Sequence, residues 1–278
     1  MNQINVKNLK EFNLQPVMIE KLCLLNDQDI IIVCDDSTFM NTPVVDSYYQ
    51  SQNRWLDMKE IVSSLWKLLD SIGHPNIQIQ FINRPGQILN DLKQLDTIFN
   101  SNPIGYNLLT QLIDKIFLDR SRKESNQKQL LLIILTCGDS TIMDTKIIKD
   151  LFKYKRDQST SISMVNCGMD DSTIKMFFRW NHKQERFHFT DTYSSQKKLI
   201  RRFQGPGFPF THGDWISHIL LSAIDPIIAT LHHKKVKLYP SQSKKLSFSI
   251  IFIAVIGVIV FFNFFPNFVP AFLSNDEL

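Results

Sequence analysis

The chain has 278 residues, 44% hydrophobic and 21% charged, with 31 Lys plus Arg against 27 Asp plus Glu for a formal net charge of +4. So small a basic excess, without aromatic platforms on a basic face or a recognisable module, excludes a nucleic-acid-binding reading. Four scattered cysteines suggest no disulfide framework, and there is no repeat of about 20 to 50 residues to mark a solenoid.

Residues 1–26 read as an N-terminal segment without the apolar core of a signal peptide. The first strong element is the run Asp29-Ile30-Ile31-Ile32-Val33-Cys34, whose consecutive apolar residues need cover on both faces and so predict a central parallel strand. It ends in Asp35-Asp36-Ser37. Ligands of such sheets gather at the carboxyl ends of the strands, and an Asp with a hydroxyl two residues on suits oxygen coordination of a divalent cation. The same two residue types also open ordinary turns.

Downstream, residues 58–72 read as an amphipathic helix and 77–83 as a strand. Helices are expected at 89–99, 105–118, 144–154 and 170–180, alternating with apolar strands at 131–136 and 161–166. Residues 120–128 form a charged loop, and the Gly-Pro stretch at 204–209 is a break. A last amphipathic helix is expected over 214–231, with Trp215, Ile219, Leu220 and Ile224 toward the core. This order predicts an α/β fold over residues 27–233, a doubly wound, mainly parallel sheet joined by right-handed crossovers and flanked by helices. His182, His188, His232 and His233 lie in polar or lysine-rich stretches and read as solvent-exposed; the basic cluster at 197–202 reads as a solvated face. Cys34, Cys137 and Cys167 fall at strand ends but lack Cys-x-x-Cys or Cys-x-x-His spacing, so they read as small core residues.

The pattern resembles a von Willebrand factor type A domain in three successive motifs. Asp35-Asp36-Ser37-Thr38-Phe39 is similar to the family's Asp-x-Ser-x-Ser, Pro103-Ile104-Gly105-Tyr106-Asn107-Leu108-Leu109 to its Pro-x-Gly-x-Thr-Pro-Leu, and the strand ending Thr136-Cys137-Gly138 to its Thr-Asp-Gly. The segment 220–226 is also similar to the closing helix of a subgroup of these domains. The resemblance implies a metal-ion-dependent adhesion site, in which hydroxyls, a Thr and an Asp hold Mg2+ or a similar ion that a partner's carboxylate completes. Carried over by residue, Asp35 and Ser37 keep their ligand types, whereas Phe39 replaces a hydroxyl, Asn107 replaces the Thr and Cys137 replaces the Asp. Phe39 offers no ligand atom, a thiol is too soft for Mg2+, and Asn107 has an amide oxygen to give. Asp35, Ser37 and Asn107 are therefore the expected ligands of at most weakly bound Mg or Mn. The expected function is capture of a protein partner at Asp35, Ser37, Phe39, Asn107 and Cys137, with a metal-dependent receptor as the alternative.

Residues 234–245 form a lysine-rich linker, 246–265 a transmembrane helix and 266–278 a short far-side tail. Fifteen of the twenty residues at 246–265 are Leu, Ile, Val or Phe, worth about −4 to −9 kcal/mol for insertion. The lysine flank keeps the N-terminal domain in the cytosol under the positive-inside rule, giving a tail-anchored chain expected at the endoplasmic reticulum. The closing Asn275-Asp276-Glu277-Leu278 resembles a retrieval signal, which an acidic far-side flank explains equally.

No catalytic residues are expected. There is no Gly-x-Ser-x-Gly elbow, phosphate loop or His-Glu-x-x-His helix. An aspartyl phosphatase needs a second Asp two residues after Asp35, where Ser37 stands.

Overall fold

The computed structural model describes residues 9–44, 46–74, 77–122, 128–138, 145–181 and 183–236. The expected membrane span and tail, with most of the lysine linker, lie outside these residues. Among the described residues no helix is long and apolar enough to cross a membrane.

Six strands make one sheet: β1 Gln28–Cys34, β2 Ile77–Phe81, β3 Gln87–Leu89, β4 Gln129–Thr136, β5 Thr160–Asn166 and β6 Phe187–Thr190, in the spatial order β3-β2-β1-β4-β5-β6. Every neighbouring pair is parallel except β2 with β3, which is antiparallel. The chain builds leftward from β1 to β3, then returns to place β4 on the other side of β1 and builds rightward. The β1–β4 boundary is thus a topological switch point, the place where open parallel sheets bind ligands. β1 lies inside the sheet with Gln28 opposite Gln129 and Cys34 opposite Leu135, as its unbroken apolar run requires.

Helices cover both faces. α4 (Leu109–Ser121), α5 (Thr145–Asp150, continued by a π-helical turn over Leu151–Lys155) and α6 (Asp171–Trp180) bury Ile113, Phe117, Phe152 and Phe177 against Leu130, Leu132 and Ile134 of β4. The alternate residues Leu131, Ile133 and Leu135 are equally buried on the opposite face, which α2 (Arg54–Ser71) and α8 (His212–Leu221) help to close. The N-terminal segment joins this core from Leu9 onward: Leu9, Met18 of α1 (Pro16–Lys21), Leu22 and Leu25 are buried.

Four local expectations are corrected. The helix expected at 89–99 is β3 followed by the short α3 (Gln94–Ile98), because the chain bends at Ile82, Asn83 and Arg84 and residues 87–89 come back to pair with β2. The helix expected from Gly105 starts at Leu109, since Gly105 has φ +92°, a left-handed conformation outside a helix. The helix expected over 214–231 is two: α8, and α9 (Pro226–Thr230), because Pro226 has no amide hydrogen to continue the ladder and Asp225 caps the new start through Ile227 N and Ile228 N. α8 is also buried all round rather than amphipathic. Finally, His188 and His232 are buried, not exposed, because β6 and the end of α9 turn them inward, while His182 lies outside the described residues; the basic cluster lies on α7 (Tyr193–Gln204), with Lys198 and Arg202 exposed.

Candidate functional site

Each motif residue reaches the switch point by its place on a strand end. Asp35 directly follows β1, its amide donating to Leu135 O of β4 at 2.9 Å, and Thr136 closes β4 beside it. The Asp35 carboxylate is fully buried and is filled by donors. Oδ1 accepts from Ser37 N at 3.0 Å, and Oδ2 accepts from Thr136 Oγ1 at 2.7 Å, Asn107 Nδ2 at 3.2 Å and Cys137 Sγ at 3.5 Å. Burial, reinforced by the Asp35 charge and opposed by Arg54, pushes the Cys137 thiol up to about 12. It is therefore a protonated donor at neutral pH and not a thiolate.

The structure thus brings Asp35, Ser37, Asn107 and Cys137 together. The Asn107 amide oxygen accepts Leu109 N at 3.1 Å, at the start of α4, and its NH2 donates to Asp35. In this arrangement the amide acts as a hydrogen-bond donor to Asp35. Phe39 is half-buried in the 3-10 turn Thr38–Asn41 and adds no polar atom. Ser37 Oγ is buried and has no hydrogen-bond partner among the described residues.

Asp36, which belongs to no expected site, locks the neighbouring loops. Its Oδ1 accepts Asn83 N at 2.8 Å, its Oδ2 pairs with Arg84 Nε at 2.8 Å, and Arg84 stacks over Phe81 at 4.4 Å and Trp55 at 5.0 Å. The carbonyl of Asp36 accepts Ile104 N at 2.8 Å, while Gly105 O accepts Thr38 N at 3.1 Å and Tyr106 O accepts Asn83 Nδ2 at 2.9 Å. A Cβ at Gly105 would sit 2.8 Å from Asn83 Oδ1, so this close approach needs glycine.

The loop so fixed carries Ile104, Tyr106 and Leu108, which are 62%, 78% and 40% exposed. Three large apolar side chains therefore stand in solvent on a backbone tied at both edges, around a buried polar centre. Sequence reasoning marked the loop for its ligand position and missed these three. Elsewhere in the fold, Arg54 Nε lies 2.3 Å from where a Cβ on Gly168 (φ +107°) would sit, beside a cavity of about 470 Å³ lined in part by Asp57, Asp171 and Asp191. Burial raises the carboxyls of Asp57 and Asp191 above the usual range.

Compared with known proteins, the chain matches no family model and no curated sequence.

Proposed function

We propose that the chain is a protein-binding module of the von Willebrand factor type A kind, in which hydrogen-bond donors have taken the place of the bound cation, and that residues 246–265 anchor it to a membrane with the module on the cytosolic side. The observation that carries the reading is the pinned loop 104–108, which holds Ile104, Tyr106 and Leu108 out over the filled Asp35 site. Preorganised loops lose little entropy on binding, and exposed tyrosines on such loops are frequent energetic anchors. The proposed module is non-catalytic. Asp35 then serves to fasten strand ends together, through Thr136, Asn107 and Cys137, so that the loop keeps its shape.

The test is site-specific photocrosslinking from residue 106 of the full chain in cells, with residue 154, where Tyr154 is 70% exposed on the π-helical turn, as the control. A discrete adduct formed at 106, absent at 154 and abolished by Ile104→Asp, is expected. Adducts identical at both positions defeat the proposal.

One observation favours the metal-dependent alternative: the buried, unpartnered Ser37 Oγ is a ligand type in a ligand position. Titrating Mg2+ and Mn2+ against the melting temperature separates the two readings. A rise that disappears in Asp35→Ala establishes the metal-dependent receptor, because a ligand binding only the folded state must stabilise it. A flat titration supports the donor-filled site.

A further inference from the structure

Three histidines far apart in sequence meet inside the fold: His188 on β6, His218 on α8 and His232 just after α9. All three are buried, and one ring nitrogen from each lies within 4.8 Å of the others. Among the described residues they are the group with such spacing. The rings meet edge to face, with centroids 4.9 Å apart for His188 with His218 and for His188 with His232.

We propose that His188, His218 and His232 form a structural site for a Zn2+-class ion that clamps the end of the folded unit to the sheet. Three imidazoles without carboxylate or thiolate suit a borderline metal such as Zn2+, with water as the fourth ligand. Zinc–nitrogen bonds of about 2.0–2.1 Å put tetrahedral nitrogens about 3.4 Å apart. Drawing the rings in from their present separation takes up to roughly 1.4 Å, which side-chain rotation supplies.

Two further features point to a ligand rather than to plain ring packing. His218 Nε2 is buried without a hydrogen-bond partner, while its Nδ1 lies 3.4 Å from Thr190 Oγ1. That is the usual arrangement of a ligating imidazole, one nitrogen held by the protein and the other directed at the metal. His232 Nε2 lies 3.5 Å from Asn181 Nδ2, whose amide is fixed by Phe189 N at 2.6 Å; so long a contact orients the ring yet lets it turn. Phe178 and Phe210 also pack against the rings. A phenylalanine at position 218 would avoid burying the unpartnered Nε2, which costs about 1–3 kcal/mol.

The experiment uses the full chain in mild detergent, stripped with a chelator and then loaded with Zn2+ or Co2+ and passed over a desalting column. Retention of about one Zn2+ per chain, with the intense visible bands of four-coordinate Co2+, is expected. His218→Phe and His232→Phe keep the ring packing. Removing even a ligand's supporting partner weakens metal binding about 10–100-fold, so each is expected to bind Zn2+ at least about 100-fold more weakly. His74→Gln, remote from the cluster, is expected to retain the metal. Wild-type protein that keeps no Zn2+ and shows no four-coordinate Co2+ bands overturns the proposal. So does retention that is the same in all three variants, which marks surface binding. Should a Phe variant not fold, the wild-type Co2+ spectrum decides alone.

Discussion

At the scale of single residues, the switch-point site uses a buried carboxylate as a shared structural acceptor. Asp35 is the one buried group that β1, the 105–109 turn and β4 share, and each contributes a donor to it. Replacing it with alanine strands Ser37 N and Asn107 Nδ2, at about 1–3 kcal/mol for each unpaired group, so Asp35→Ala is expected to lower unfolding free energy by about 2–6 kcal/mol in urea titration. The donor-filled site further requires that added Mg2+ or Mn2+ leave the wild-type urea midpoint unchanged. The sequence disclosed Asp35, Ser37, Asn107 and Cys137 because the motifs fix their spacing. It did not disclose that Asn107 faces inward with its NH2, since the choice between amide oxygen and nitrogen is made by Leu109 N, a backbone group that spacing does not reveal. Nor did it disclose the histidine cluster. His188 and His232 sit among charged neighbours in sequence, and only the packing of β6, α8 and α9 turns them in.

At the scale of elements, long periodic or wholly apolar runs were legible and short ones were not. β1, β4, β5 and the helices α2 and α6 match the expected segments closely, since an unbroken apolar strand or a capped helix such as α6, with Asp170 accepting Ser172 N and Thr173 N, carries its own signal. β3 and β6 are too short to show a period, and α7 is so polar that its buried stripe reduces to Gln196 and Ile200. α8 yields a sharper test. Gly213 lies in its first turn, where Phe12 O is only 2.0 Å from the position of an added Cβ. In an exposed helix Gly→Ala stabilises by about 1 kcal/mol. Here the clash is with a backbone atom that cannot swing aside, so steric overlap outweighs propensity. Gly213→Ala is expected to lower the melting temperature and to loosen residues 9–15 from α8, seen as faster hydrogen exchange at Gln15 N, which now donates to Asp214 Oδ1 at 2.7 Å.

At the scale of the whole molecule, stability depends on buried groups that titrate in opposite directions. His212 stacks on Tyr48 at 4.0 Å with the planes 6° apart, and burial alone lowers its protonation to about 4. An unfolded chain takes up that proton near pH 6.5, which the folded chain declines until about pH 4. The depressed folded value means that the His212 contribution is complete above about pH 6.5 and is lost as pH falls toward 4. Asp57, Asp191 and Asp214 act the other way. Their folded carboxyls are raised by burial, so they favour the folded state in acid and lose that contribution as pH rises through the carboxylate range. The wild-type curve sums both effects, and only a difference isolates one. His212→Phe preserves the flat stack on Tyr48 without a titrating group. Melting temperature measured from pH 7.5 down to 4 is therefore expected to fall less steeply in His212→Phe than in wild type, with the two curves parallel above about pH 7. Curves parallel over the entire range would show that His212 is protonated in the fold at its ordinary pH, and that the Tyr48 stack lies open to solvent.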